Sequence, residues 1–143
     1  MKILVTTSTL KQDLDDPSPE FINNLIDGVA SISPDSEFIY VYPFKRTYPK
    51  LKSNKNISYK PYKYWITSKG HNILDKGLYQ SIKSNKLNFI KISFLLLSQF
   101  FYTFYLTIKI KPDYIYAHWV FPQAFIASLI SKATKTRYVF TSH

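Results

Sequence analysis

The sequence predicts an α/β fold, a Rossmann-like parallel sheet with flanking helices. Two observations carry that prediction. Compact apolar runs recur at Ile3-Leu4-Val5, Phe38-Ile39-Tyr40-Val41-Tyr42, Tyr114-Ile115-Tyr116-Ala117 and Tyr138-Val139-Phe140, as strands buried in a sheet require. Stretches of helical period fall between the first pair and the last pair, and strand–helix–strand order implies parallel pairing through right-handed crossovers.

The first run begins at the N-terminus, and a polar loop follows from Thr6 to Ser18. Helix-start signals come next: Ser18 as N-cap, Pro19 at the first helical position and Glu20 in the first turn. Phe21, Leu25, Val29 and Ile32 recur on one face, Ile22 and Ile26 widen it, and Pro34 ends the helix. The second strand closes at Pro43. Residues 43 to 88 are rich in Lys, Tyr, Ser and Asn, with a third strand placed around Ile57 to Tyr64. Beyond Pro112 a strand at Tyr114–Ala117 precedes a helix from Phe121 to Lys132, begun at Pro122, and the last strand runs into Thr141-Ser142-His143.

Between Phe89 and Ile110 large apolar side chains dominate. A membrane span needs about 20 mostly apolar residues. Lys91 and Lys109 bracket Ile92 to Ile108, and Ser93, Ser98, Gln99, Thr103 and Thr107 interrupt it. Three readings remain open here: a buried or partly membrane-facing helix, a span, and an interfacial helix meeting anionic lipid through Lys83, Lys86, Lys91 and the aromatics.

Composition narrows the chemistry. With 45% hydrophobic residues in 143, the chain is one globular domain's worth, 1–143. A formal charge of +10 favours anionic partners, among them phosphates and an anionic membrane surface. The basic residues are spread through the Lys/Tyr-rich middle rather than set on a nucleic-acid module, so nucleic acid is not an expected partner. There is no cysteine, which excludes disulfides, thiolate zinc sites and Cys nucleophiles. The N-terminal apolar run is too short for a signal-peptide core, and the expected location is cytoplasmic, either free or peripheral at the inner face of the membrane. No metal constellation, P-loop, dinucleotide G-x-G-x-x-G pattern or G-x-S-x-G elbow is present, and no metal or cofactor is expected.

In an open parallel sheet, ligands bind beyond the carboxyl ends of the strands. That rule selects the Thr7-Ser8-Thr9 loop leading to Ser18-Pro19-Glu20, then Pro43-Phe44-Lys45-Arg46, His118-Trp119 and Ser142-His143. His118 fits either a packed, hydrogen-bonded ring or a ligand. Trp119 fits either packing or sugar stacking. The helix start offers N–H groups to a phosphate, but the Glu20 carboxylate already complements the helix dipole and repels an anion. Lys45 and Arg46 suit phosphate pairing or plain solvation, and nothing near His71 suggests chemistry.

The segment Lys111-Pro112-Asp113-Tyr114-Ile115-Tyr116-Ala117-His118-Trp119-Val120-Phe121-Pro122 resembles the strand and turn of family 4 glycosyltransferases, roughly "PD-apolar-apolar-x-AHW-x-x-P". The Arg137–His143 strand and the opening strand with its Asp15-to-Phe21 turn are also similar to that family. The resemblance implies a GT-B enzyme of two Rossmann-like domains, catalysing retaining hexosyl transfer without an essential metal. The N-terminal domain would bind a lipid-linked or polysaccharide acceptor, and a C-terminal domain would bind the nucleotide sugar.

Carried over by position, His143 would face the donor sugar as the catalytic-cleft residue. His118 and Trp119 would lie on the acceptor side, and Ser18, Pro19 and Glu20 near the donor phosphate. Relatives carry Gly in that turn, where Pro19 and Glu20 stand here. The donor domain lies outside these 143 residues, so the chain alone is expected to be inactive. The alternative is a non-catalytic membrane-surface binding protein.

Overall fold

The computed structural model describes residues 1–11, 20–45, 55–67, 71, 73–74 and 78–142. Strand β1 is Lys2–Thr6, helix α1 Phe21–Ile32, β2 Glu37–Pro43 and β3 Ile57–Tyr62. Helices α2 (Leu78–Ser84) and α3 (Asn88–Ile110) precede β4 (Tyr114–His118), α4 (Phe125–Thr134) and β5 (Arg137–Thr141). The five strands form one sheet in the order β3-β2-β1-β4-β5, with every pairing parallel. This is the Rossmann-like α/β architecture expected from the strand–helix alternation.

The order reverses direction at β1, and crossover handedness then sorts the helices. Connection β1→β2 places α1 on one face, while β3→β4 and β4→β5 move the other way and place α3 and α4 on the opposite face. On the α1 face Val5, Phe38, Tyr40 and Tyr42 pack with Ile22, Ile26 and Ala30. On the other, Leu4, Ile39 and Val41 pack under Ile92, Leu95 and Leu106 of α3. Ile115 and Ala117 pack under Ile126, Ala127 and Ile130 of α4. Burial pushes the Tyr59 hydroxyl up to about 12, and those of Tyr40 and Tyr42 rise further. All three stay neutral at physiological pH.

Three local expectations need correction. In α1 Ile22 and Ile26, expected at the margin of the apolar face, are with Ala30 its buried stripe, whereas Phe21, Leu25 and Ile32 are exposed. Both stripes are apolar enough to serve, and docking of the helix over β1 and β2 selects the inner one. The helix after β4 begins at Phe125, preceded by a wide π-type turn, Val120–Ala124. Phe121 holds extended angles (φ −127°, ψ 134°), because the ring of the following Pro122 excludes the helical region for its predecessor. Lys45, read as a solvated or phosphate-pairing cation, is buried at 8% exposure.

Helix α3 is inverted relative to an ordinary core helix. The polar residues Gln99, Thr103 and Thr107 point inward with Ile92, Leu95 and Leu106. Ile90, Phe94, Leu97, Phe101, Tyr105 and Ile108 are exposed, Phe101 at 63%. The inward polar groups are partly bonded: Gln99 Nε2 donates to Thr6 Oγ1 at 3.1 Å, and Thr107 Oγ1 donates to the Thr103 carbonyl at 2.8 Å. One face of α3 thus packs on the sheet, although the helix is long and apolar enough to cross a membrane.

His71 is buried between the edges of Tyr64 and Phe44, at ring separations of 4.6 and 5.3 Å. Burial, helped by Lys63, lowers its pKa below the ordinary imidazole value, against a bond to the Trp65 backbone that raises it. A histidine that resists protonation when folded binds fewer protons than the unfolded chain. Stability is therefore fully present above the unfolded value of about 6.5 and falls as pH drops through it. Urea midpoints should decrease from pH 7.5 to 5.5, and His71→Phe should flatten that decrease.

Candidate functional site

The carboxyl ends of β1, β4 and β5 converge on a short turn. Trp119, the residue after β4, donates its backbone N–H to the Thr141 carbonyl at 2.9 Å, locking the turn to β5. Its indole Nε1 donates to Thr9 Oγ1 at 3.2 Å, and its ring meets Phe21 edge-on at 6.4 Å. One side chain thus ties the loop after β1 and the start of α1 to the end of β4. Trp119 also adopts φ 82°, ψ 145°, a backbone region that residues with a Cβ rarely occupy. Strain of this kind persists only where surrounding contacts over-determine it.

His118 sits one residue earlier and is buried. Its ring lies 4.6 Å from that of Tyr116, and Nδ1 lies 3.3 Å from Thr141 Oγ1. The Tyr116 hydroxyl donates to that same oxygen at 3.4 Å. His118 is thus packed, against Tyr116 rather than beside Trp119, and among the described residues a threonine hydroxyl rather than a backbone group lies at hydrogen-bond distance. A partner on Nδ1 sets the role of the other ring nitrogen. On the α1 face an apolar groove of about 320 Å³ reaches His118, lined by Ile3, Leu25, Val29, Tyr114, Tyr116 and Val139.

The helix-entry turn is only partly in view. Ser18, Pro19 and His143, the last expected to face the donor sugar, lie outside the described residues, as does Arg46. Glu20 flanks the start of α1 and pairs with Lys11 Nζ at 2.7 Å, a hydrogen bond and charge that hold its carboxyl below the usual range. Lys11 is itself clamped through its backbone by both ends of the Asn23 amide. The described part of this turn is a neutralised ion pair.

Four participants stand outside the positions that the carboxyl-end rule selects: Tyr116, Thr141, Phe21 and Asp113. The Asp113 carboxylate accepts from the Lys2 backbone N–H at 2.7 Å, and its own N–H donates to the Lys2 carbonyl at 2.9 Å. The acid of the Pro-Asp pair thus sets the start of β4 against β1. Strand alternation puts Tyr116 on the face of His118, but only the β4–β5 register brings Thr141 opposite.

Among the described residues no group of three or more His, Asp or Glu side chains is placed to hold a metal ion. Gln123, in the turn after Trp119, is fully buried and neither polar atom of its amide has a hydrogen-bond partner. An unmet amide carries a desolvation cost of about 1–3 kcal/mol. Gln123→Leu, which removes both polar atoms at similar volume, should leave the chemical-denaturation midpoint unchanged or raise it. Comparison with known proteins adds nothing to this geometry: no family model and no curated protein matches the chain.

Proposed function

We propose that this chain is the acceptor-side domain of a retaining glycosyltransferase of GT-B architecture, resembling family 4. The observation that carries the reading is the His118-Trp119 turn, set by Thr9, Phe21 and Thr141 at the carboxyl ends of β1, β4 and β5. That is where an open parallel sheet receives its ligand. A partly exposed indole offers a stacking surface for a sugar ring, and His118 offers a positioned polar atom. The apolar groove that reaches His118 favours a lipid-linked acceptor over a wholly polar one. In this reading His143, just beyond β5, faces the donor sugar, while Ser18, Pro19 and Glu20 approach the donor phosphate.

The nucleotide sugar would be held by a second α/β domain. The test is to read the coding frame beyond His143 and assay the complete product against a panel of uridine and guanosine diphosphate sugars. A donor domain and sugar transfer that His118→Ala or His143→Ala reduces about 100-fold or more would support the proposal. A stop codon directly after His143, or turnover by the 143-residue chain alone, would sink it.

A further inference from the structure

The outward face of α3 has no role in the core, and it continues onto α4. Along α3 the exposed residues Ile90, Phe94, Leu97, Phe101, Tyr105 and Ile108 are spaced by three or four, forming one stripe along the helix. Beside it, on the same side of the sheet, Phe121, Phe125 and Leu129 are exposed at the start of α4 and along it. The aromatics at positions 121 and 125 lie 6.2 Å apart. Contiguous apolar surface of this kind marks an interaction site.

The charges around it are one-sided. From Lys76 to Ser142 the sole acidic residue is Asp113, and neither α3 nor α4 contains any. Lys83, Lys86 and Lys91 lie at one end of the stripe, Lys109 and Lys111 at the other, and Lys132 on α4. The exposed acids Glu20, Asp27, Asp35 and Glu37 lie on or beside α1, across the sheet. A second copy of a +10 chain would bring like charge against like charge.

We infer that the α3–α4 face docks on an anionic lipid bilayer, with α3 lying in the interfacial plane. The apolar stripe enters the boundary between headgroups and acyl chains, the lysines meet lipid phosphates, and the acids on α1 face away. Length and composition alone would allow α3 to cross a membrane. Burial of Leu95, Gln99, Thr103 and Leu106 against the sheet holds it on the surface instead. This inference does not depend on the transferase reading.

The experiment is flotation of the purified chain with phosphatidylcholine vesicles, with and without phosphatidylglycerol. The chain should float with the anionic vesicles only, and raised salt should weaken binding. Phe94→Ser combined with Phe101→Ser should lower the partition coefficient about tenfold or more. Phe125→Ser should weaken it independently, and Ile32→Ser on the opposite face should leave it unchanged. Circular dichroism would establish that each variant is folded. The inference is overturned if the wild type ignores anionic vesicles, or if both stripe variants bind as the wild type does. It also fails if those substitutions instead convert a dimer to a monomer, or if bound chain resists alkaline carbonate as a spanning protein does.

Discussion

Leu95→Ala should lower the unfolding free energy by about 2–5 kcal/mol, the range for truncating a fully buried leucine. Leu95 is 2% exposed and packs in the cluster that joins α3 to Leu4, Ile39 and Val41 at the middle of the sheet. The alanine leaves a cavity that a parallel sheet on one side and a long helix on the other cannot easily close. Phe101→Ser removes a larger apolar side chain from the same helix, yet should change stability by only about 0.5 kcal/mol, because that ring already faces water. Paired urea titrations decide the matter. Equal losses from both substitutions would mean that α3 buries its aromatic stripe, and the membrane inference would fall with that result.

Trp119→Gly should be more stable than Trp119→Ala by about 1 kcal/mol, the reverse of the usual order within regular structure. Both variants lose the indole's bond to Thr9 and its edge contact with Phe21. They differ in the backbone. At φ 82° an alanine keeps the Cβ clash that glycine lacks, and such strain costs about 1–3 kcal/mol. Thermal unfolding of the two proteins under one buffer gives the comparison, and an alanine variant as stable as the glycine one would show an unstrained turn. A strained, bulky residue where glycine would sit more easily also points to selection on the side chain. In the proposed function that side chain contacts the acceptor, so both variants should lose acceptor binding alike.

Much of the architecture was legible because its signals are local. Three apolar residues followed by polar ones at the N-terminus are enough to specify β1, and Phe38–Tyr42 and Tyr114–Ala117 fall within strands of nearly the expected bounds. Even the third strand, drawn from a Lys- and Tyr-rich stretch, was placed within a few residues of Ile57–Tyr62. Local periodicity failed where two faces were equally apolar. In α1 it centred the face on Phe21, Leu25, Val29 and Ile32 with Ile22 and Ile26 at its margin, while the sheet received Ile22, Ile26 and Ala30, with Val29 beside them. In α3 the serines, threonines and Gln99 read as interruptions of an apolar helix, and Gln99, Thr103 and Thr107 belong to its inward face.

The candidate site divides along the same line. His118 and Trp119 could be nominated from sequence because the carboxyl-end rule needs only a strand and the residue after it. Their partners could not, since Thr9 and Thr141 are brought to them by parallel pairing across long stretches of chain. Sequence by itself determined the strand–helix alternation, the parallel sheet and the excess of positive charge, because each follows from short-range pattern or composition. Tertiary structure alone decided which face of each helix is buried, which hydroxyl meets His118, and that the acids of α1 lie across the sheet from the apolar stripe of α3. Those outcomes depend on strand order and crossover hand, which no single segment encodes.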